Sequence, residues 1–265
     1  MDTHASQFYA DVMATESASA ESPFETATLD FVFAQVWARP GLTRRQRRLV
    51  TLACVCGAAA AGPTDEHMYA ALASGDLHIA ELLEFILHFA VYSGWPKASQ
   101  AETSLRTQHA RLRAERGDTF EPWPVFEKES LGPTDHEVRL LGGEESFAEI
   151  NLVPPPPRDS PYFQAGILSF VFGHLWQRPN LSRIDRRYIT IPCVGIAGAM
   201  TPIHSHIGSA LRSGDISFDE MSEIVLQFSA YYGFAKGEVL HQVVAEEWAR
   251  TVSERSSDPP PPGVR

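Results

Sequence analysis

Apolar residues recur at three- and four-residue intervals along most of this chain, which is the spacing of an amphipathic helix. The stretches "IAELLEFILHFAVYSG" at 79–94 and "FDEMSEIVLQFSAYYG" at 218–233 carry it most plainly. No core segment alternates apolar and polar residues in the manner of a strand. The pattern predicts an all-α fold.

The same stretches belong to a repeat. "FVFAQVWARPGLTRRQRRLVTLACV" at Phe31 returns 139 positions later as "FVFGHLWQRPNLSRIDRRYITIPCV" at Phe170. Phe31–Lys97 aligns with Phe170–Lys236 without a gap, and about 28 of the 67 pairs are identical. The chain therefore reads as two tandem copies of one helical domain, forming a pseudo-dimer. The expected division is a first repeat at 1–118, a linker and N-terminal arm at 119–161, a second repeat at 162–254, and a disordered Pro-rich tail at 255–265.

Each copy has helix punctuation. Thr43 with Gln46, and Ser182 with Asp185, resemble capping boxes, opening a helix expected to run to about Ala61 in the first copy. Proline at Pro63 and Pro202 suits the first turn of the next helix. The "SGD" runs at Ser74–Asp76 and Ser213–Asp215 supply a glycine stop. A long third helix follows in each copy, and a last helix starts near Lys97 or Gly237. "LLGGEES" and "NLVPPPPRDSP" between the copies read as loop, semi-rigid where proline dominates. Apolar residues on more than one helix face predict that the copies pack through their long third helices and that the chain associates further.

Composition narrows the function classes. A net charge of −11 argues against a nucleic-acid surface, and the basic run "RRQRR" at 44–48 opens an apolar helix. No run is long and apolar enough for a membrane span, and the first residues lack the charge and apolar core of a signal peptide. The three cysteines, Cys54, Cys56 and Cys193, form no framework and fit a reducing, cytoplasmic setting.

Chemistry-bearing residues recur in both copies. Arg47, Thr51, Cys54 and Ala58 fall on one helical stripe, matched by Arg186, Thr190, Cys193 and Ala197. This stripe is a candidate site wall; alternatively the arginine pairs with a carboxylate of its own repeat. His67 and His206 each follow the proline break by four residues, on the next helix. Histidine can give and take a proton near neutral pH. Asp65 and Glu66 beside His67 would raise its pKa, whereas His204 beside His206 would lower that one. His204 and His206 are two apart and face differently on a helix, so no metal is expected. Glu84, His88 and Tyr92 share a face of the third helix, matched by Glu223, Gln227 and Tyr231. Tyr92 and Tyr231 are placed to reach a site with their hydroxyls. Neither copy has a Cys-x-x-Cys pair, which removes dithiol redox chemistry.

With these residues in view, "RPGLTRRQRRLVTLA", a histidine, "AALASGD" and "AELLEFILHFAVYSGWPKA" together resemble the carboxymuconolactone decarboxylase family, relatives of the alkylhydroperoxidase D proteins. The second copy resembles it through "RPNLSRIDRRYITI", His206, "SALRSGD" and "DEMSEIVLQFSAYYGFAKG". The peroxidase branch carries two cysteines ahead of the histidine, where this chain has Ala60 and Pro63, and Ala199 and Pro202. The resemblance implies the decarboxylase branch, which acts on a lactone acid without a cofactor. It implies catalytic His67 and His206, with Arg47 and Arg186 holding a small organic acid; Thr51, Tyr92, Thr190 and Tyr231, from the helix faces above, would orient it. It also implies a homo-oligomer, a trimer of tandem chains making a pseudo-hexamer. The other reading open from sequence is a non-enzymatic binding or assembly protein that keeps the fold.

Overall fold

A computed structural model describes residues 3–17, 19–126 and 135–257. The described residues form helices joined by turns and loops, with no strand among them. In chain order the α-helices are α1 (Thr3–Met13), α2 (Pro23–Ala27), α3 (Arg44–Gly57), α4 (Ala61–Ser74), α5 (Ile79–Ser93) and α6 (Trp95–Arg116). They continue as α7 (His136–Asn151), α8 (Arg183–Ala197), α9 (Met200–Ser213), α10 (Phe218–Tyr232) and α11 (Phe234–Ser257). Two π-helical segments, π1 (Thr28–Trp37) and π2 (Tyr162–Phe172), precede α3 and α8. Their wider turn is visible in the bonds from Ala38 N to Phe33 O and from Gly173 N to Leu168 O.

The predicted punctuation holds. Thr43 and Ser182 accept from the backbone of Gln46 and Asp185, and both capping boxes close. Gly75 and Gly214 end α4 and α9 in the left-handed region, at φ 73° and 76°. Three boundaries differ. α3 stops at Gly57 rather than near Ala61, because Ala59 turns the chain at φ 53°. α6 and α11 start at Trp95 and Phe234, directly after Gly94 and Gly233 at φ 94° and 105°. "LLGGEES" is not loop but the middle of α7, whose first turn is capped by Asp135. Its glycines serve packing: a Cβ on Gly143 would stand within bonding range of the Leu168 carbonyl of π2. "LVPPPPRDS" is non-helical as expected. Of the expected tail, 255–257 is the last turn of α11, and 258–265 lies outside the described residues.

One core runs through both halves, from Leu49 and Phe85 to Ile189 and Phe228. The long third helices, α5 and α10, do not form its centre as expected. α3 lies on α8 instead, while α5 crosses α8 and α10 crosses α3. The central pair approaches closely: a Cβ on Gly57 would meet Ile196 at 2.5 Å. The physical reason is composition. α3 and α8 are buried on every face after their first turn, so each needs partners all round, whereas α5 and α10 keep an outer face. α1 covers π1 and α4, and α7 covers π2 and α9 in the same manner. The reciprocal contacts are compatible with the two-copy pseudo-dimer.

Candidate active site

The residue that the fold brings to His67 is Arg48, one position beyond the predicted stripe. Arg48 Nη1 donates to His67 Nδ1 at 2.8 Å. Its Nε and Nη2 hold Asp76, at the end of α4, at 3.2 and 3.1 Å. Nη2 also donates to the Val12 carbonyl, and Nη1 reaches Met13 Sδ at 3.8 Å, so α1 closes over the guanidinium. The guanidinium lies 4.8 Å above the Trp37 ring.

Trp37 and Tyr231 complete an aromatic box. The Trp37 indole stacks on the His67 ring with centroids 6.0 Å apart. Tyr231, from α10 of the other half, meets His67 edge-on at 5.3 Å. The Trp37 Nε1–H donates to the Tyr231 hydroxyl at 2.7 Å. The box therefore takes residues from both repeats.

The second box repeats the first at the matching positions. Trp176 stacks on His206 at 6.2 Å, and Tyr92 of α5 meets that ring edge-on at 5.5 Å. Trp176 Nε1 donates to the Tyr92 hydroxyl at 3.0 Å. Arg187 lies 5.6 Å over Trp176 and pairs with Asp215 at 3.3 Å.

Electrostatics follow from burial. Desolvation, then the adjacent Arg48 cation, hold the His67 imidazole well below its ordinary range. Burial and Arg187 bring His206 down to about 3. Both rings are neutral at physiological pH. The expected rise at His67 does not occur. Asp65 turns outward to Ser104, and the charge nearest the ring is a cation. A guanidinium only donates, so His67 Nδ1 is the acceptor and the ring proton sits on Nε2. Burial also raises the tyrosines, Tyr92 to about 12 and Tyr231 above its usual range.

The predicted stripe builds the repeat boundary instead. Arg47 is fully buried and donates to Glu223 Oε2 at 2.9 Å and Gln227 Oε1 at 3.0 Å. Thr51 accepts from Gln227 at 2.9 Å. Arg186 lies 3.7 Å from Glu84 and 3.3 Å from His88 Nδ1, and Thr190 bonds His88 Nε2 at 2.7 Å. The arginines do pair with carboxylates, but with those of the opposite repeat. The stripe and the boxes diverge because neighbouring helical positions point about 100° apart. Arg48 and Arg187 escaped notice in the sequence because they sit inside the "RRQRR" and "RR" runs. Their signal was the 139-residue match that they share with Trp37, Asp76 and their counterparts.

The three thiols are buried. Burial raises Cys54 well above its usual range and carries Cys56 and Cys193 to about 12. His204 faces Glu247 at 2.8 Å, away from His206. Among the described residues no three metal-ligating side chains converge, and no helix is long and apolar enough to cross a membrane.

Residues 23–106, which hold Trp37, Arg48, His67, Asp76 and Tyr92, match the model of the carboxymuconolactone decarboxylase family. Over this segment the chain is similar to that family. Two curated relatives are similar to the chain. A 4-carboxymuconolactone decarboxylase of Acinetobacter baylyi is 35% identical over 86 residues, 32% of this chain and 62% of that protein. A nitrosuccinic acid decarboxylase of Metarhizium robertsii is 35% identical over 79 residues, 30% of this chain and 54% of that protein. The chain thus spans less than two thirds of the curated relatives that it matches. Tyr231, which closes the box around the domain's own His67, lies outside the matched segment.

Proposed function

We propose that this protein is a decarboxylase-like lyase acting on a small carboxylated lactone or keto acid, with no cofactor, and that His67 is its principal catalytic residue. The observation that carries the reading is the 2.8 Å bond from Arg48 to His67 Nδ1, inside an aromatic box shared by both repeats. Two relatives whose names denote decarboxylases support it.

Decarboxylation breaks the bond between the carboxylate carbon and its neighbour. Carbon dioxide leaves, and the electron pair moves onto an adjacent carbonyl oxygen as an enolate. A proton must then reach the carbon that lost the carboxylate. A neutral imidazole fixed as the Nε2–H tautomer offers a hydrogen bond to that developing enolate oxygen. In a dry site such a donor is worth far more than in water. A low pKa excludes an imidazolium acid, so His67 does not start as a full proton donor. The Tyr231 hydroxyl, which accepts from Trp37, keeps its own proton at rest, would give it to the enolate carbon, and would regain one from solvent when α1 lifts to release product. Arg47 and Arg186 hold Glu223 and Glu84 at the repeat boundary, away from the histidines, so the cations nearest a substrate in either box would be Arg48 and Arg187, each already paired with its own aspartate. Entry requires α1 to lift Val12 and Met13 from Arg48.

The reading includes a cytoplasmic location, suited to three unpaired buried thiols, and further association of the chain into a trimer. Association would cover Trp95 and Phe234, exposed aromatics at matching positions that lean on the half-buried Phe170 and Phe31. Light scattering that gives a 29.3 kDa particle would remove the trimer.

A second reading, a binding or assembly protein that retains the fold, is favoured by one observation. Arg47, Arg48, Arg186 and Arg187 all hold internal carboxylates, and both histidines are packed in filled boxes. The deciding experiment follows carbon dioxide release across a panel of lactone acids, β-keto acids and nitro acids. Release that His67→Ala abolishes supports the lyase. Release by no substrate in the panel favours the second reading.

A further inference from the structure

The two boxes place their rings alike and hold them differently. His67 and His206 stack on their tryptophans at nearly equal distance, with planes 5° and 7° apart. Arg48 and Arg187 both reach the aspartate that follows the next helix, and both donate Nη2 to a backbone carbonyl, of Val12 or Ile150. Arg48 adds a second bond to its aspartate from Nη2, but the difference that reaches the histidines is at Nη1. Arg48 Nη1 meets His67 Nδ1 at 2.8 Å, whereas Arg187 Nη1 donates to Ser209 Oγ at 2.9 Å. His206 Nδ1 is left buried with no hydrogen-bond partner. Ser209 matches Ala70 at the 139-residue offset, and alanine offers no acceptor.

We propose that Ser209 is a positioning residue that makes the two sites inequivalent, because it takes the hydrogen bond from Arg187 that would otherwise fix His206, whereas Ala70 leaves Arg48 free to fix His67. Buried polar atoms without partners are rare, and each needs a cause. Here the cause is one hydroxyl within reach of the same guanidinium nitrogen. Ser209 is fully buried, so water does not compete for it. His67 is then locked as the Nε2–H tautomer, and His206 exchanges its proton between its two nitrogens. The consequence for turnover rests on the lyase reading above: the locked ring presents a permanent donor, and the unlocked one does not.

The test is nitrogen NMR of the histidine rings in the full chain, with assignments taken from His67→Gln and His206→Gln. In the wild type, His67 should show an unprotonated Nδ1 and a protonated Nε2, while His206 shows averaged nitrogen shifts. Ser209→Ala should give His206 the pattern of His67, and Ala70→Ser should give His67 the pattern of His206. A wild-type His206 already locked like His67 overturns the proposal. So does a Ser209→Ala protein whose His206 shifts do not move. Ser209→Ala removes one atom and Ala70→Ser adds one, so either variant alone decides if the other fails to fold. Turnover is read separately. Ala70→Ser should lower it roughly ten- to a hundredfold, the scale of one hydrogen bond to a charged group. Ring shifts that move as expected without a change in turnover uphold the role of Ser209 and remove the locked tautomer of His67 from the mechanism instead.

Discussion

The indole of Trp37 donates to the hydroxyl of Tyr231 at 2.7 Å, across the boundary between the repeats. These residues are 194 positions apart, and the matching bond from Trp176 to Tyr92 runs the opposite way. Neither box can form within one repeat.

An isolated first repeat, residues 1–118, should therefore fail to fold on its own. Cutting there exposes the face of α3 that α8 and α10 cover, and leaves Arg47 without Glu223. Circular dichroism should find no cooperative melt for either half alone, and mixing the two halves should restore one. A cooperative transition in the first half alone would contradict this.

The Arg47–Glu223 pair gives a second prediction. Arg47 has no exposed surface, so Glu223→Gln leaves a buried cation facing a neutral amide. Breaking one side of such a pair costs about 3–5 kcal/mol, whereas replacing both sides with apolar residues of similar size is often neutral. Urea titration should find Glu223→Gln strongly destabilised and the double change Arg47→Met, Glu223→Leu much less so. The exposed pair Arg106–Glu102 should contribute under about 1 kcal/mol in the same assay.

Much of this was legible in the sequence, and the limit is instructive. Periodicity and punctuation set the all-α class and most helix ends, because caps and glycine stops act within a few residues. The 139-residue repeat exposed every box residue as a matched pair. What the sequence could not supply was which copy faces which. Tyr92 stands out in the sequence, yet it closes on His206 rather than on its own His67. Arg47 stands out over Arg48 in the sequence because its stripe also carries Thr51 and Cys54. That stripe is polar because it crosses the repeat boundary, where Glu223 and Gln227 meet it. Gly142 and Gly143 read as loop because a glycine kept for close packing looks the same as one that breaks a helix.

Stability should fall with acid earlier than carboxylate protonation alone would cause. His67, His88 and His206 are all held below their ordinary pKa, chiefly by burial. In the unfolded chain each titrates near 6.5. Below that pH the unfolded state binds protons that the native state refuses, so stability rises with pH across this window and is lost as pH falls. For His206 the window extends down to about 3. Each histidine that stays neutral in the native state contributes a slope of at most about 1.4 kcal/mol per pH unit below about pH 6.5, and the three act in the same direction. Urea midpoints at pH 7.5 and 5.5 check this, and a folded His206→Gln protein should show a shallower dependence. Equal midpoints at the two pH values would contradict it.

The native protein should resist thiol reagents. Cys54, Cys56 and Cys193 are buried, with pKa values pushed up by burial, so little thiolate exists at neutral pH. A chromogenic disulfide should label no cysteine within minutes in buffer and all three in denaturant. Hydroperoxide should not be consumed faster than by a free thiol.

His67→Ala and His206→Ala should differ in turnover while costing similar stability. Both rings are buried in equivalent boxes, so deleting either removes comparable packing. Only His67 carries the hydrogen bond that fixes its tautomer. A positioned histidine typically contributes a hundredfold to ten-thousandfold, so His67→Ala should lower carbon dioxide release by at least that lower figure. His206→Ala should lower it only a few-fold. Tyr231→Phe tests the proton source apart from the ring. It keeps the edge-on contact with His67 and loses only the hydroxyl, so it should lower turnover with little change in KM. If both alanine variants stay folded and neither loses more than a few-fold, the boxes are structural and the chemistry lies elsewhere. If the two lose equally, both sites work and the difference between Ala70 and Ser209 carries no weight in the reaction.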